Sequence, residues 1–240
     1  CGFKEMSHSI LENTDILKRE DVEDNLQFLG FVVMLNRLKP DTKRIIDLLN
    51  TNSIRNIMVT GDNALTAVSV AKACSIINPE RQVYLARLER KTFNVNAQQE
   101  ESVKIDDTAV ITINPAASNK RIVWYNVETD AVVDPRVIEH PIDVATNEKY
   151  FELAISGDVF EHLMQQHTDE NPDKHVQKLL ISCDIFARMS PNQKMRLVEE
   201  LMKLDYQVGM CGDGANDCGA LKASHVGVSL SEAEASIAAP

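Results

Sequence analysis

The sequence lacks the features that mark nucleic-acid-binding and membrane-spanning proteins. Lys and Arg number 25 against 36 Asp and Glu, which gives a formal net charge of −11. Because nucleic-acid binding rests on clustered Lys and Arg, this balance argues against a nucleic-acid partner. The longest uninterrupted apolar run, Phe31–Leu35, is far shorter than the roughly 20 residues of a membrane-spanning helix. We therefore expect a segment that is not itself inserted in a membrane, and the mixed, polar first residues predict no signal peptide.

The cysteines and histidines also lack the spacings of covalent or metal frameworks. The five cysteines form no CxxC pair, and the six histidines show no zinc-type spacing. His162 and His167 are five residues apart, so one helix face would not carry both. An odd set of isolated cysteines is typical of a reducing compartment, where each thiol acts as a small core side chain.

Apolar runs and helical patterns alternate along much of the chain. The predicted strands are Phe28–Leu35, Ile54–Val59, Tyr150–Ser156, Cys183–Ala187 and the run from Val208 to Cys211. Such alternation predicts an α/β fold of the Rossmann-like class, with a mostly parallel sheet and helices on both faces. In that class the functional side chains gather on loops at the carboxyl ends of the strands.

The middle of the chain interrupts this alternation and predicts a division into segments. We expect residues 1–25 to form a connecting tail, and 26–77 together with 150–240 to form the α/β core. Residues 78–149 then read as an insertion with a small β-rich part. Within it, Ala109–Ile113 and Arg121–Val127 alternate like an antiparallel pair of strands.

One predicted loop carries a pair of carboxylates beside an amide. The turn Gly212–Gly214 joins an apolar run to a predicted helix, and it brings Asp213, Asn216 and Asp217 to the carboxyl end of a strand. Mg²⁺ in proteins takes one or two carboxylates and shares its other positions with water and phosphate. The alternative is structural: Asp213 caps the helix, and Asp217 answers the helix dipole. This stretch alone leaves both open.

Two further loops carry groups suited to phosphate. At Thr60-Gly61-Asp62, a hydroxyl and backbone N–H groups could hold phosphate oxygens, although an ordinary helix cap also explains Asp62. Lys194 stands in the first turn of a predicted helix, where the positive end of the dipole disfavours it unless an anion lies nearby. The alternative is a solvated lysine. Together the three loops predict phosphoryl-transfer chemistry, but they contain no nucleophile.

The motif order resembles a known superfamily. TGDN, ARMSPNQK and GDGAND occur in the order found in the haloacid-dehalogenase superfamily, and specifically in the phosphorylation domain of P-type ATPases. FLGFVVMLNRLKPDT, MCGDGANDCGALK and SLSEAEAS resemble the class V pumps, whose better-known branch moves polyamines. Matching motifs cover Leu26–Cys74 and Tyr150–Pro240. Asn192 departs from the family, which more often has an acid there.

This resemblance implies roles at the phosphate or the nucleotide for four residues. Thr60 and Gly61 would contact an aspartyl phosphate, and Asp62 would help to close the site over the nucleotide. Lys194 would bind and neutralise the phosphoryl group.

The resemblance also implies a magnesium site and nucleotide contacts. Asp213 would ligate Mg²⁺ directly, while Asn216 and Asp217 would support the phosphate and the metal's water shell. Arg188 and Arg37 would contact the nucleotide phosphates or another domain. The cofactors of the intact protein would be Mg²⁺ and ATP.

The family's nucleophile, the first Asp of a DKTGT motif, does not occur in the chain. The nearest string, Asp106–Val110, follows TGD instead of preceding it and follows no apolar strand, so we reject it. The actuator, nucleotide-binding and transmembrane domains are also missing, and residues 1–25 would be the tail arriving from the nucleotide-binding domain. We expect the carboxyl-terminal part of a phosphorylation domain, inactive alone, which lies on the cytosolic face of an endomembrane in the parent pump.

Two alternatives to a pump fragment follow from the residues. A stand-alone phosphatase of the same superfamily needs an Asp after an early apolar strand, but FLGFVVML is followed by Asn36. A non-catalytic truncated relative, acting as a binding protein, could keep the cation-site residues after losing activity. The sequence argues against the first and leaves the second open.

Overall fold

The computed structural model describes residues 1–5, 18–33, 37–90, 120–142, 148–168, 171–212 and 215–229. The chain divides into two compact units, Cys1–Lys39 and Pro40–Pro240.

The first unit has little regular structure among its described residues. Strands β1 (Gly2–Phe3) and β2 (Gln27–Phe28) pair antiparallel, and helix α1 spans Arg19–Glu23. The prediction of a buried strand over Phe28–Leu35 is wrong, because Phe31 and Val33 are 87% and 89% exposed. Residues 34–36 lie outside the described part. The apolar run has no covering element within the described residues of this unit.

The second unit contains the remaining elements. They are α2 (Thr42–Thr51), β3 (Met58–Val59), α3 (Ala64–Ala73), β4 (Val83–Arg90), β5 (Lys120–Asn126), β6 (Val132–Val133), α4 (Pro135–Ile138), β7 (Glu152–Ser156), α5 (Gly157–Met164), α6 (Lys174–Ser182), β8 (Ile185–Ala187), α7 (Pro191–Lys203), β9 (Gly209–Gly212), a 3₁₀ turn (Ala215–Asp217), α8 (Cys218–Ala223) and β10 (Val226–Ser229). Within the described ranges, none of the helices is long and apolar enough to cross a membrane.

Six strands form one sheet in the order β3-β8-β7-β4-β5-β6. The first four strands in this order, β3, β8, β7 and β4, run parallel to one another. Strands β5 and β6 are antiparallel additions at the edge next to β4. The predicted α/β class with a mostly parallel sheet is confirmed. Strand β5 pairs with β4 and β6, while its predicted partner, Ala109–Ile113, lies outside the described residues.

Strands β9 and β10 form a separate parallel pair joined through α8, which confirms the predicted βαβ unit. The helix that the sequence placed over Ala215–Ala223 is divided, since its first three residues form the 3₁₀ turn.

Helices cover both faces of the large sheet, as predicted. Leu153 and Ile155 of β7 pack in the larger core cluster with α5, α6 and α7, whereas the intervening Ala154 packs in the second cluster with α3. In β8, Phe186 joins the larger cluster and Ile185 the smaller one. Successive residues of a strand point to opposite faces, so a strand buried on both sides reads as a continuous apolar run.

Candidate functional site

The loops after β3 and β8 are tied together at the carboxyl edge of the sheet. The Thr60 N–H donates to the Phe186 carbonyl (2.9 Å), and the Met189 N–H donates to the Thr60 carbonyl (2.9 Å). The Arg188 N–H donates to the Asp62 carbonyl, also at 2.9 Å. Within the turn, the Asp62 N–H donates to the Thr60 hydroxyl oxygen (3.1 Å). The predicted phosphate turn is therefore held in place by the neighbouring loop.

The helix after this turn is capped by Asn63 and not by Asp62. The Asn63 side-chain oxygen accepts a hydrogen bond from the Leu65 N–H at 2.9 Å. The alternative in which Asp62 caps this helix is therefore wrong, and Asp62 is exposed.

The loop after β8 runs into α7 through a complete capping box. The Ser190 hydroxyl accepts from the Gln193 N–H (3.3 Å), and the Gln193 side-chain oxygen accepts from the Ser190 N–H (2.9 Å). Pro191 occupies the first turn, where its missing N–H costs nothing. The sequence predicted the Ser190-Pro191 cap, and the Ser-x-x-Gln spacing could have predicted Gln193 as well.

Gln193 also joins α7 to the first residue of α5. Its side-chain nitrogen donates to the Gly157 carbonyl at 2.9 Å. A Cβ on Gly157 would lie 2.4 Å from the Arg188 carbonyl oxygen and 2.7 Å from the Gln193 side-chain oxygen, so only glycine fits. Arg188 itself adopts φ +52°, which is uncommon for a residue other than glycine. Sequence reasoning did not identify Gln193 or Gly157, because these contacts join distant segments.

The most direct convergence of predicted site residues is an ion pair. The Lys194 ammonium lies 2.7 Å from Asp217 Oδ1, and each side chain is only 11% exposed. The solvated-lysine alternative is therefore wrong. Asp217 also packs tightly on the last residue of β9, since a Cβ on Gly212 would lie 2.6 Å from Asp217 Oδ2.

The other predicted site residues do not take part in this ion pair. Gly61, Arg188 and Asn216 are exposed at the carboxyl ends of β3, β8 and β9. Arg37 belongs to the first unit and is exposed there. Asp213, the other predicted metal ligand, lies outside the described residues. Among the residues that are described, no three His, Cys, Asp or Glu side chains are grouped closely enough to hold a metal ion.

A second charged cluster lies at the amino ends of β7 and β8, opposite the motif loops. The buried Asp184 accepts from Arg55 (3.1 Å), and the buried Glu152 accepts from Arg81 (3.2 Å). The Lys149 ammonium contacts both carboxylates. Burial raises the pKa of Glu152, and the charge of Asp184 raises it further, against the lowering influence of Lys149 and Arg81. These residues border a cavity of about 480 Å³.

Comparison with known proteins identifies relatives over almost the whole chain. No protein-family model matches the sequence. The vacuolar cation-transporting ATPase YPK9 of Saccharomyces cerevisiae is 42% identical over 100% of this chain and 15% of its own length. The probable cation-transporting ATPase 13A4 of Gallus gallus is 42% identical over 95% of the chain and 17% of its own length. The polyamine-transporting ATPase 13A3 of Mus musculus is 37% identical over 93% and 17%.

The chain thus spans only 15% to 17% of the length of these three curated relatives. Identity near 40% over almost the whole chain indicates common ancestry with these proteins, and each of their names describes a cation- or polyamine-transporting ATPase. By sequence, the chain belongs to the family of P-type cation- and polyamine-transporting ATPases and corresponds to less than a fifth of such a protein.

Proposed function

We propose that this chain is part of the phosphorylation domain of an ATP-driven cation or polyamine pump, where it supplies groups that bind the phosphoryl group and Mg²⁺. The observation that carries the proposal is the buried Lys194–Asp217 pair. The pair links the first turn of α7 to the 3₁₀ turn after β9, and the Thr60 carbonyl accepts from the N–H of Met189, two residues before α7. In this proposal the fold is of the haloacid-dehalogenase type, with its core in residues 26–77 and 150–240 and an insertion at 78–149.

The donor set fits a phosphoryl group and its metal. Lys194 provides a compact positive charge, and the Thr60-Gly61 turn provides a hydroxyl and backbone N–H groups for phosphate oxygens. Asp217 and Asp213 provide the hard oxygen ligands that Mg²⁺ prefers. Bound Mg²⁺ would neutralise charge on the phosphate oxygens. The chain's own residues position the group and exclude water, because Lys194 and Asp217 are largely buried.

The nucleophile must come from another segment of the longer protein. Within the described residues, β3 pairs only with β8, and β9 pairs only with β10, so each has one unpaired edge. The carboxyl ends of both strands lead to the loops that contain Thr60 and Asp217. A further parallel strand along either edge would end near the Lys194–Asp217 pair. This is where an aspartate nucleophile would have to stand.

The activity of the whole protein is part of the proposal, and the names of its relatives support it. ATP would be its energy source, and an aspartyl phosphate its covalent intermediate. The proposed location is the cytosolic face of an endomembrane, as the vacuolar relative suggests. The actuator, nucleotide-binding and transmembrane domains would be the partners of this segment.

Co-expression tests the proposal. The chain is produced with a second fragment of the same pump that carries the DKTGT aspartate, and acid-stable phosphate transfer from radiolabelled ATP is measured. We expect none from the chain alone, transfer in the mixture, and at least a hundredfold loss with K194M, on the order of the loss when one preorganised charge donor is removed. K72M, in an ion pair on α3, is the matched control and should retain the signal.

Each other outcome contradicts the proposal. Absence of transfer in every mixture would favour a non-catalytic binding protein. Phosphatase or ATPase activity of the purified chain alone would favour a stand-alone enzyme.

A further inference from the structure

The cavity at the amino ends of β7 and β8 carries more positive than negative charge. Its volume of about 480 Å³ is in the range of small-molecule sites. Arg55, Arg81 and Lys149 border it, against the two carboxylates of Glu152 and Asp184. The other described residues that line it are uncharged. The chain as a whole has a net charge of −11, so this local excess of positive charge is against its general balance.

The two carboxylates of the cavity are more buried than the cations and are engaged by them. The side chains of Glu152 and Asp184 are 3% and 5% exposed. Asp184 pairs with Arg55, and Glu152 pairs with Arg81. The Lys149 ammonium lies between them and contacts both carboxylates. A metal cation or an amine in the cavity would be repelled by these three cations, so the charge pattern favours an anionic ligand.

The two guanidinium groups keep hydrogen-bond donors that the carboxylates do not use. A guanidinium carries several N–H donors in a fixed planar fork. Among the described residues, Arg81 makes one side-chain hydrogen bond, from Nη1 to Glu152 Oε1 (3.2 Å). Arg55 donates from Nη2 to the Cys183 carbonyl (2.6 Å) and to Asp184 Oδ1 (3.1 Å). Both side chains line the cavity and are about a third exposed, so a ligand there can reach the other donors.

The uncharged wall of the cavity is fixed by hydrogen bonds between separate segments. Asn50, near the end of α2, donates from its side chain to the Ser75 carbonyl (3.0 Å). Asn56, before β3, donates from its side chain to the Asn50 side-chain oxygen (2.7 Å). The Asn78 N–H donates to Glu152 Oε1 (3.4 Å). The walls are therefore tied to one another and to the charged floor, as in a preformed ligand site.

We propose that this cavity binds a small organic phosphate through Arg55 and Arg81. Guanidinium forks pair with phosphate oxygens in a bidentate manner, and a phosphate monoester carries close to two negative charges near neutral pH. The asparagine and serine residues of the wall suit the polar remainder of such a ligand. Free phosphate esters and the headgroups of phosphomonoester lipids share this chemistry. The inference does not depend on the proposed function, because it concerns the opposite edge of the sheet.

Amide NMR of the ¹⁵N-labelled 240-residue chain tests the inference, with glycerol 3-phosphate as the probe and no divalent metal present. We expect shifts centred on residues 75–81 that saturate with a dissociation constant below about 1 mM. R81Q should weaken binding at least about tenfold, because it removes charged hydrogen bonds to the ligand. R121Q takes the same charge from an exposed ion pair with Glu89, and as the matched control it should leave the affinity unchanged.

A second variant separates loss of binding from loss of folding. R81Q leaves the buried Glu152 with one partner fewer, which costs stability. R81Q/E152Q removes both charges of the pair and keeps the formal charge of the cavity. We expect this double variant to fold, as its thermal midpoint would show, and to lose binding about tenfold or more. Unchanged affinity in the folded double variant would mean that diffuse charge, and not the guanidinium fork, attracts the anion, and would overturn the inference.

Vesicles distinguish the two sources of the phosphate. Saturable binding of glycerol 3-phosphate in solution identifies a free ester. Sedimentation with phosphatidylcholine vesicles only when they contain phosphatidic acid, and its loss in R81Q/E152Q, identifies a lipid headgroup and supports the same chemistry.

Three outcomes would overturn the inference. Equal affinity for succinate would show that the cavity does not select phosphate. Absence of binding to either probe below about 20 mM would indicate an adventitious ion only. Binding by the 240-residue chain that is lost in the full-length protein would show that the rest of the polypeptide closes the cavity.

Discussion

The Lys194 ammonium and the Asp217 carboxylate lie 2.7 Å apart, and each side chain is 11% exposed. The lysine is in the first turn of α7, and the aspartate is the residue before α8. Positive charge at a helix start is unfavourable, so Asp217 is the anion that makes the position of Lys194 tolerable. The pair therefore connects the stability of this sheet edge with its proposed chemistry.

Removing one partner of this pair should be costly. K194M or D217N leaves a buried group without its partner, and we expect each to lower the free energy of unfolding by about 3–5 kcal/mol. The double variant should lose less than the sum of the two. Urea unfolding of the four proteins measures this coupling. The more exposed pair of Lys72 and Glu128 is the control, and its coupling should be below about 1 kcal/mol. Additive losses at Lys194 and Asp217 would contradict the expectation.

Gln193 should stabilise the loops beside Lys194. Q193A removes half of the capping box and the bond to the Gly157 carbonyl, so we expect a loss of about 1–2 kcal/mol in unfolding free energy. Unfolding in urea measures the change. A loss below about 0.5 kcal/mol, the usual range of surface substitutions, would refute this role.

Gly157 should tolerate no side chain. In G157A the new Cβ would meet backbone at Arg188, so we expect a clear loss of thermal stability. G209A is the matched control in a strand, since its Cβ would lie 3.7 Å from the Val226 carbonyl, an ordinary contact. Equal thermal midpoints for the two variants would show that the loop after β8 moves aside freely.

Glu152 should make stability depend on pH. The pKa of Glu152 is raised in the folded protein above its value of about 4.5 in the unfolded chain. Its contribution to the free energy of unfolding is therefore fully present below the unfolded pKa and is lost as the pH rises through the folded pKa. E152Q keeps the neutral form at every pH. We therefore expect a higher thermal midpoint for E152Q than for the wild type at pH 7, and a difference that shrinks toward pH 4. E128Q at an exposed position is the control, and a pH-independent difference for E152Q would contradict the account.

The cysteines should differ in reactivity. Cys1 and Cys211 are exposed, whereas Cys74 and Cys183 are buried. Burial raises the pKa of the Cys183 thiol well above its usual range, so little thiolate forms at neutral pH. Mass spectrometry after brief alkylation at pH 7.5 should find label on Cys1 and Cys211 first. Labelling of Cys183 at a similar rate would show that the core around β8 opens readily.

The local elements of the fold could be predicted from the sequence because their signals are local. Strands buried on both faces read as apolar runs, which is why β7 and β8 were predicted close to their observed positions. The Ser190-Pro191 cap was predicted correctly because its signal is two adjacent residues. The run Phe28–Leu35 has an equally strong apolar signal, but burial depends on a covering partner that no local pattern reveals.

Contacts between distant segments account for what the sequence missed. Lys194 was singled out for its unfavourable place at a helix start and was predicted to share one site with Asp217, but the direct ion pair between them is seen only in the structure. Gly157 is required because the Arg188 carbonyl, in the loop after β8, and the Gln193 side chain both approach it from distant segments. The buried Glu152 and Asp184 escaped notice because each stands alone in its own segment, and only the parallel alignment of β7 and β8 brings them together.

The central claim is that the Thr60 turn and the Lys194–Asp217 pair surround one site for Mg²⁺ and phosphate. Paramagnetic broadening of amide NMR signals by Mn²⁺, added with inorganic phosphate to the ¹⁵N-labelled chain, tests it most directly. We expect the strongest broadening at residues 60–62 and at 212, 216 and 217, with much less in D217N. Broadening centred on Glu152 and Asp184 at the opposite sheet edge, or unchanged in D217N, would contradict the claim.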